Sequence, residues 1–255
     1  MHNFSPFSFH FSVYNIVWFW NKKHTIAASG ILQGAADHHS HILPGVDDGV
    51  ETMDEALRIL ATYETLGIKE LWLTPHIMED IPNNPSKLQV RFEELKAAYT
   101  GNKPLHLAAE YMIDNNLRQL LNDNKELLPI GTSGKHILVE TSYYNAPIRM
   151  NDTLQQIKSL GYFPLLAHPE RYMYLNNADY TRLHSQGVKF QLNLASLAGG
   201  YGKAVKKKAE WLLSNELYSV AGTDLHSEDT IEYITNCKLS KQAVEQVEKL
   251  LHNRI

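Results

Sequence analysis

A single cysteine, Cys237, in 255 residues excludes an internal disulfide and any cysteine-rich metal site. A reducing, cytoplasmic setting fits that count. No apolar run approaches the roughly 20 residues of a spanning helix; in the aromatic N-terminal stretch the longest is Ile16 to Trp20. Positive charge is not in excess: the net charge is −4, which removes the electrostatic reason to expect nucleic acid as a partner. There is no P-loop, no G-x-S-x-G elbow, no C-x-x-C pair and no dinucleotide fingerprint. Against these absences stand thirteen histidines, a high count whose placement matters more than its size.

Residues 1–34 differ from the rest and are set apart as an N-terminal extension, with the body of the protein assigned to 35–255. Residues 4 to 20 carry Phe4, Phe7, Phe9, Phe11, Tyr14, Trp18, Phe19 and Trp20 among Ser, His and Asn. A secretory leader would need a basic start and a continuous apolar stretch. Three readings stay open: a true start of translation near Val17, a peripheral aromatic anchor backed by Lys22 and Lys23, or a loosely packed arm. None touches the chemistry.

From Ala35 onward, short apolar strand candidates alternate with helix candidates. The strands are read as Ala35–His39, Glu70–Thr74, Leu105–Ala109, Ile137–Glu140, Phe163–Ala167, Lys189–Asn193 and Tyr218–Gly222. Helices are expected at Met53–Leu66, Ser86–Tyr99, Asn115–Asn122, Thr153–Leu160, Asp179–Ser185, Ala204–Asn215 and Lys241–His252. The first has a Thr52/Glu55 capping box and stops at Gly67. Such alternation predicts a parallel sheet, open or closed.

The residues that follow the strands decide between the two. His39 and His41, His76, Glu110, Glu140, His168, and Asp224 with His226 each stand at a strand end; only the sixth strand lacks a ligand type. In an open sheet they would be strung along one edge. In a closed ring all C-terminal strand ends share one mouth, where active sites of such folds lie. The expected fold is therefore α/β, a distorted seven-stranded (β/α) TIM-like barrel.

Each motif also has a plainer reading. His39-Ser40-His41 puts two imidazoles on one face of an extended segment, so both can reach one ion; alone it could be two surface histidines. A one-residue slip would select His38, which faces the other way. Asp47-Asp48-Gly49 is common turn chemistry, but beside HSH it offers Asp48 as a hard oxygen ligand. His76 could be a core residue. Glu110 and Glu140 end apolar strands, where a carboxylate is costly unless paired or on a metal. Arg171 follows His168 by three residues and suits bidentate phosphate binding; the alternative is an ion pair with Glu170 or a neighbouring carboxylate. Lys206 to Lys208 read as one solvated helix face, and Trp72 and Trp211 as core. His106, His136, His184 and His252 read as structural or exposed. Together, the ligand types exceed what one ion needs, so a two- or three-metal site is expected.

Taken in order, DHHSHILPGVDDG, TPH at His76, AAEY at Glu110, VETS at Glu140, AHPER and GTDLH resemble a PHP (polymerase and histidinol phosphatase) domain. More narrowly they resemble the bacterial CpsB/CapC-type protein-tyrosine phosphatases of capsule and exopolysaccharide synthesis, from about Asp37 to the C-terminus. His38 departs from the pattern, which has an apolar residue there. The resemblance implies a distorted barrel (the PHP fold) with three metals: one on His39, His41, Glu110 and Asp224; a second on Glu110, Glu140 and His168; a third on Asp48, His76 and His226. Arg171 would hold the phosphate. Manganese would be preferred, with Fe²⁺, Zn²⁺ or Mg²⁺ as other candidates.

The expected activity is hydrolysis of phosphotyrosine by metal-bound water acting as hydroxide. The substrate implied is a tyrosine-phosphorylated protein such as a tyrosine-kinase C-terminal tail, with a cytoplasmic enzyme brought to the inner membrane by that partner. The nearest alternative is a histidinol-phosphate or other small phosphomonoester phosphatase. A catalytically silent metal-binding scaffold is the alternative of another class, and a metal-dependent C–N hydrolase on a similar barrel is a weaker third.

Overall fold

The computed structural model describes residues 23–255. The aromatic residues up to Trp20, and with them the readings of that segment, lie outside the described residues. The chain begins with β1 (His24–Thr25), α1 (Ile26–Ser29), β2 (Ala36–Asp37), α2 (Met53–Thr65), β3 (Glu70–Leu73), β4 (His76–Ile77) and α3 (Pro85–Ala98). It continues through β5 (Leu105–Leu107), β6 (Glu110–Met112), α4 (Asn115–Asn122), β7 (His136–Glu140), α5 (Met150–Ser159) and β8 (Phe163–Ala167). A 3₁₀ turn at Pro169–Arg171 leads to α6 (Asn177–Ser185), β9 (Lys189–Asn193), α7 (Leu194–Ala198) and α8 (Lys203–Ser214). The last elements are β10 (Val220–Gly222), α9 (Asp229–Thr235), β11 (Lys238–Leu239) and α10 (Lys241–His252).

The strands form a curled parallel sheet in two hydrogen-bonded pieces, β10-β9-β8-β7-β6-β4 and β2-β3-β5. β3 and β4 belong to one run of chain, divided at Thr74-Pro75, because Pro75 has no N–H for the ladder. The neighbouring run divides as well: the expected strand Leu105–Ala109 stops at Leu107 and resumes at Glu110. Hydrogen bonds from Ala108 N to Leu73 O (2.9 Å) and Glu110 N to Pro75 O (3.1 Å) carry the pairing across both breaks. Beyond β2 the chain runs beside the chain beyond β10. Ser40 and Leu225 form a parallel bridge, and Asp224 N donates to His39 O at 2.8 Å.

Side chains explain these elements. Glu70–Leu73 and His136–Glu140 are buried throughout, as strands covered on both faces must be. Thr52 caps α2 by accepting from Glu55 N at 3.2 Å, and the helix ends before Gly67, whose φ of +79° is the left-handed conformation glycine favours. The main apolar core lies between sheet and helices. A second cluster of Trp72, Ala108, Ile130, Leu138, Leu165, Ala167 and Val220 fills the inside of the curl, with Ile255 packed against it.

Residues 24–34, grouped with the extension on sequence grounds, are packed into the body. β1 pairs antiparallel with β11, and Ile26 and Ile31 are fully buried. β2 is shorter than expected because the chain leaves the ladder after Asp37, and His39 and His41 turn to the mouth. The short helices α7 and α9 were not expected; each is too brief to show a helical period. Among the described residues no helix is long and apolar enough to cross a membrane.

Asp37 ties β2 to the chain just after β10. Its carboxylate accepts from Thr223 Oγ1 (2.7 Å), Thr223 N (2.9 Å), Tyr63 Oη (2.9 Å) and His39 N (3.2 Å), all buried. Removing an acceptor strands its buried donors at about 1–3 kcal/mol for each group. Asp37→Ala should therefore lower the unfolding free energy by about 3 kcal/mol or more, and Tyr63→Phe by about 1 kcal/mol. Urea denaturation checks this, and an unchanged midpoint for Asp37→Ala would remove the tie.

Candidate metal centre

Every expected ligand stands at one mouth of the curled sheet. β4 begins with His76 and β6 with Glu110, paired in register, and Glu140 closes β7 opposite Met112. His168 and Asp224 follow β8 and β10 in the left-handed region, with φ of +31° and +51°. Such conformations cost about 1–3 kcal/mol for residues other than glycine and collect at functional sites. His39 and His41 come from the irregular stretch after β2. Two glycines make room for them: a Cβ on Gly222 would stand 2.6 Å from His39 Cβ, and one on Gly49 would stand 2.4 Å from His41 Cβ.

The donor atoms fall into three groups whose members lie within 4.8 Å of one another: His41, Asp48, His76 and His226; His39, Glu110, His168 and Asp224; and His76, Glu110 and Glu140. All are buried except Asp48, which is exposed, and His226, which is half-buried. Between His39 Nε2, His41 Nε2, Glu110 Oε2 and Asp224 Oδ1, contacts run from 3.1 to 3.4 Å. A tetrahedral ion bonded at about 2.0–2.1 Å has donor–donor edges of about 3.3–3.4 Å. Glu110 Oε2 and His76 Nδ1 are buried with no hydrogen-bond partner, although they stand 3.2 Å apart. Close donors that do not bond each other aim at a shared point. Imidazoles mixed with carboxylates suit Mn²⁺, Zn²⁺ or Fe²⁺, so the residues fit divalent ions.

Electrostatics agree. The carboxylates of Asp47, Glu110, Glu140 and Asp224 have side-chain exposures of 0 to 3%, and Arg171 is the guanidinium among them. Burial opposes a charged imidazole at His39, but Glu110 and Asp224 outweigh it and raise its pKa to about 9. Burial likewise opposes charge on Glu110 and Asp224, and neighbouring imidazoles, His39 foremost, hold both well below the carboxylate range. A cation competes with protons for these lone pairs.

Residues that motif reading passed over hold the ligands in place. Gln191 Oε1 accepts from His168 N (3.2 Å) and stands 3.0 Å from His39 Nδ1. As an acceptor it takes the Nδ1 proton, leaving Nε2 of His39 to face the site. Asp47 Oδ2 does the same for His41 Nδ1 (2.8 Å) and accepts from His76 N (3.0 Å). The two aspartates of the DDG turn thus have separate tasks: Asp47 orients histidines, while Asp48 Oδ1 faces His76 Nε2 at 3.4 Å. The sixth strand, which carries no ligand type, supplies Gln191 and also Asn193, whose Nδ2 donates to Asp224 Oδ2 at 2.8 Å. Amides give no sequence signal for this; only their position on the inner face of β9 could have suggested it.

Arg171 pairs with Asp224 (Nη1 to Oδ2, 2.8 Å) and not with Glu170. Glu170 is fully buried elsewhere, accepting from Tyr218 Oη at 2.9 Å and Asn193 N at 3.0 Å. The Arg171 guanidinium lies between two rings, 4.2 Å from the centroid of Tyr143 and 4.0 Å from that of Tyr201. The expectation of a wholly solvated Lys206–Lys208 face is corrected at Lys208, whose Nζ donates to Tyr172 O (2.6 Å) and Leu175 O (2.9 Å) and ties down the chain beyond Arg171. His38 is buried away from the ligands, and burial lowers its pKa to about 4. His106 stacks on Trp72 at 4.5 Å and pairs with Glu70, a structural role. The open side of the site is a cavity of about 530 Å³ reaching from His76 and Glu110 to Tyr143, Arg171 and Tyr201.

A family model described as capsular polysaccharide synthesis, CpsB/CapC, matches residues 35–252. The tyrosine-protein phosphatase YwqE of Bacillus subtilis is 27% identical over 205 residues, covering 78% of this chain and 80% of its own length. The tyrosine-protein phosphatase CpsB of Streptococcus pneumoniae is 27% identical over 211 residues, covering 76% and 84%. A chain from the crystal structures of YwqE and CpsB, described as metal-dependent tyrosine phosphatases, superimposes with a TM-score of 0.69 at 24% identity, covering 86% of this chain and 95% of that one. At that identity the superposition speaks for the fold.

Partners that orient metal-binding histidines typically contribute about 10–100-fold in metal affinity. Gln191→Leu and Asp47→Asn should each weaken Mn²⁺ binding by about that factor while far-UV circular dichroism stays unchanged. Titration calorimetry reads it; wild-type affinity in both variants would leave these residues without a supporting role.

Proposed function

The chain belongs to the CpsB/CapC family of capsular polysaccharide synthesis, and on that premise we propose that it is a metal-dependent protein-tyrosine phosphatase. One observation carries the reading: nine ligand-type side chains meet around a pocket that also holds one guanidinium, Arg171. Imidazole and carboxylate donors in that number suit a cluster of three ions. One ion would take His39, His41, Glu110 and Asp224, a second Glu110, Glu140 and His168, and a third Asp48, His76 and His226. Donor spacing adds that His168 also lies within reach of the first set and His76 of the second. Mn²⁺ is the ion proposed, with Fe²⁺, Zn²⁺ and Mg²⁺ as other occupants.

The fold proposed with it is a distorted barrel of seven strands spanning residues 35–255, in which β3 with β4 and β5 with β6 each count as one interrupted strand. The Ser40–Leu225 bridge supports closure between first and last strands.

Such ions supply Lewis acidity and an acidified water near neutral pH. The chain's own part is positioning. Arg171, held at Asp224 by Nη1, keeps its remaining N–H donors for phosphoryl oxygens, where charge accumulates as the phosphorus–oxygen bond breaks. Hydrolysis replaces the aryl ester oxygen on phosphorus with a water oxygen, and the departing phenolate takes up a proton. A phenol has a pKa near about 10 and leaves more readily than an alkoxide, so the site can work without a strong general acid. The substrate proposed is a phosphotyrosine-bearing protein, such as the C-terminal tail of a bacterial tyrosine kinase, encountered in the cytoplasm beside the inner membrane. Dephosphorylating it would regulate capsule or exopolysaccharide synthesis.

EDTA should abolish p-nitrophenyl phosphate hydrolysis and Mn²⁺ should restore it; full activity in EDTA would sink the metal mechanism. His39→Ala or Asp224→Ala should lose metal and turnover together. Arg171→Ala should keep its metal, measured by plasma emission, and lose about 10²–10³-fold in kcat, the scale of one lost charge-stabilising donor. Cys237→Ser should retain wild-type rates. Turnover of histidinol phosphate above that of a phosphotyrosine peptide would replace the substrate assignment.

A further inference from the structure

Above the ligands, Met78, Met112, Tyr143, Tyr144 and Tyr201 line the pocket wall, together with the hydroxyl residues Thr141, Ser142 and Thr230. No carboxylate outside the ligand groups, no lysine and no second arginine lines it. Two of these rings face each other across Arg171, which is 15% exposed and 4.2 and 4.0 Å from their centroids. The Tyr201 ring is anchored through its hydroxyl and Tyr143 through its backbone. Tyr201 Oη accepts from Asn193 Nδ2 at 3.2 Å, and the same Nδ2 donates to Asp224 Oδ2. Tyr143 O accepts from Met173 N at 2.7 Å, which fastens its loop to the chain just beyond Arg171.

We infer that Tyr143 and Tyr201 make this site selective for aryl phosphate monoesters, acting at once as a clamp on Arg171 and as the walls that receive the aromatic leaving group. The reading rests on the phosphatase assignment above and names the residues that set its substrate class. A phosphoryl group gripped by Arg171 has the buried donors of Glu110, His168 and Asp224 beneath it, so its ester oxygen points outward. The two tyrosines that flank Arg171 line the pocket beside it. An aryl ring there can pack offset or edge-on against them, the arrangements that aromatic pairs favour. A short alkyl ester has no ring to pack in this way, and an ammonium-bearing ester finds no free carboxylate. Because the rings already hold the guanidinium and both residues are anchored, the slot exists before substrate arrives, and little ordering is left to oppose binding.

The test uses the Mn²⁺-loaded full chain and two non-hydrolysable probes, phenylphosphonate and methylphosphonate, with calorimetric affinities as readout, alongside KM and kcat on a phosphotyrosine peptide. The wild type should bind the phenyl probe about tenfold more tightly than the methyl probe, the scale of one or two aromatic contacts. Tyr143→Leu and Tyr201→Leu should each cut that ratio several-fold and raise KM more than they lower kcat. Tyr143→Phe should preserve it, because the ring and not the hydroxyl makes the contact. A wild-type ratio near one, or Leu variants that weaken both probes equally, overturns the inference, since the tyrosines would then only prop Arg171. A wild type that binds neither probe and hydrolyses no phosphomonoester overturns the phosphatase reading itself. Active enzyme without aryl preference overturns only this further step.

Discussion

Glu110 is fully buried, and its Oε2 has no hydrogen-bond partner although His39, His41 and His76 stand within 3.2 to 3.4 Å of it. A carboxylate in that position is costly unless opposite charge meets it. Much of the architecture follows from supplying that charge at one point. Strands must end together so that imidazoles from distant parts of the chain surround Glu110. The sheet must curl for those ends to share one mouth. The left-handed backbone at His168 and Asp224 is a local strain accepted to aim two more donors at the same place.

Around the donors lies a layer that does no chemistry and decides geometry. Gln191 and Asp47 each take the Nδ1 proton of a histidine and thereby choose which nitrogen looks into the site. Asn193 holds Asp224 from one side and Arg171 holds it from the other. Asp37 connects β2, the chain after β10 and α2 through buried hydrogen bonds. Because Gln191 and Asp47 each also accept from the backbone N–H of a second ligand residue, loss of either would disturb more than one donor.

The same economy runs outward to the substrate. Arg171 is a guanidinium between two tyrosine faces, bound to a candidate metal ligand beneath it. Lys208 and Met173 secure the segment that follows it. Phosphate binding, metal binding and the aromatic wall are therefore mechanically joined through Asp224, Asn193 and Tyr201. The proposed phosphatase chemistry draws on all three.

Most strands and helices were legible in the chain, several to the residue: Asn115–Asn122, Phe163–Ala167, Lys189–Asn193 and Lys241–His252. So were the candidate ligand residues that the structure brings together, because a His or Glu directly after an apolar strand reports a local fact, the sudden need for polar chemistry where a buried run stops. Arg171 was legible as a companion to His168, though not as the partner of Asp224. Residues 24–34 were not legible as part of the body, since β1 is held by β11, more than two hundred residues away in sequence. Gln191, Asn193, Asp47, Tyr143, Tyr201 and Lys208 were also missed, for a common reason. Each matters through what lies opposite it on another strand or loop, and an amide, a tyrosine or a lysine in such a place looks like any other. By itself, then, the sequence determined the kind of chemistry and the strand ends that bear it, because hydrophobic period and residue type act over a few positions. Which donors share a point, which nitrogen each presents and what flanks the guanidinium were decided only by tertiary structure, because those depend on ångström distances set by strand register and sheet curl.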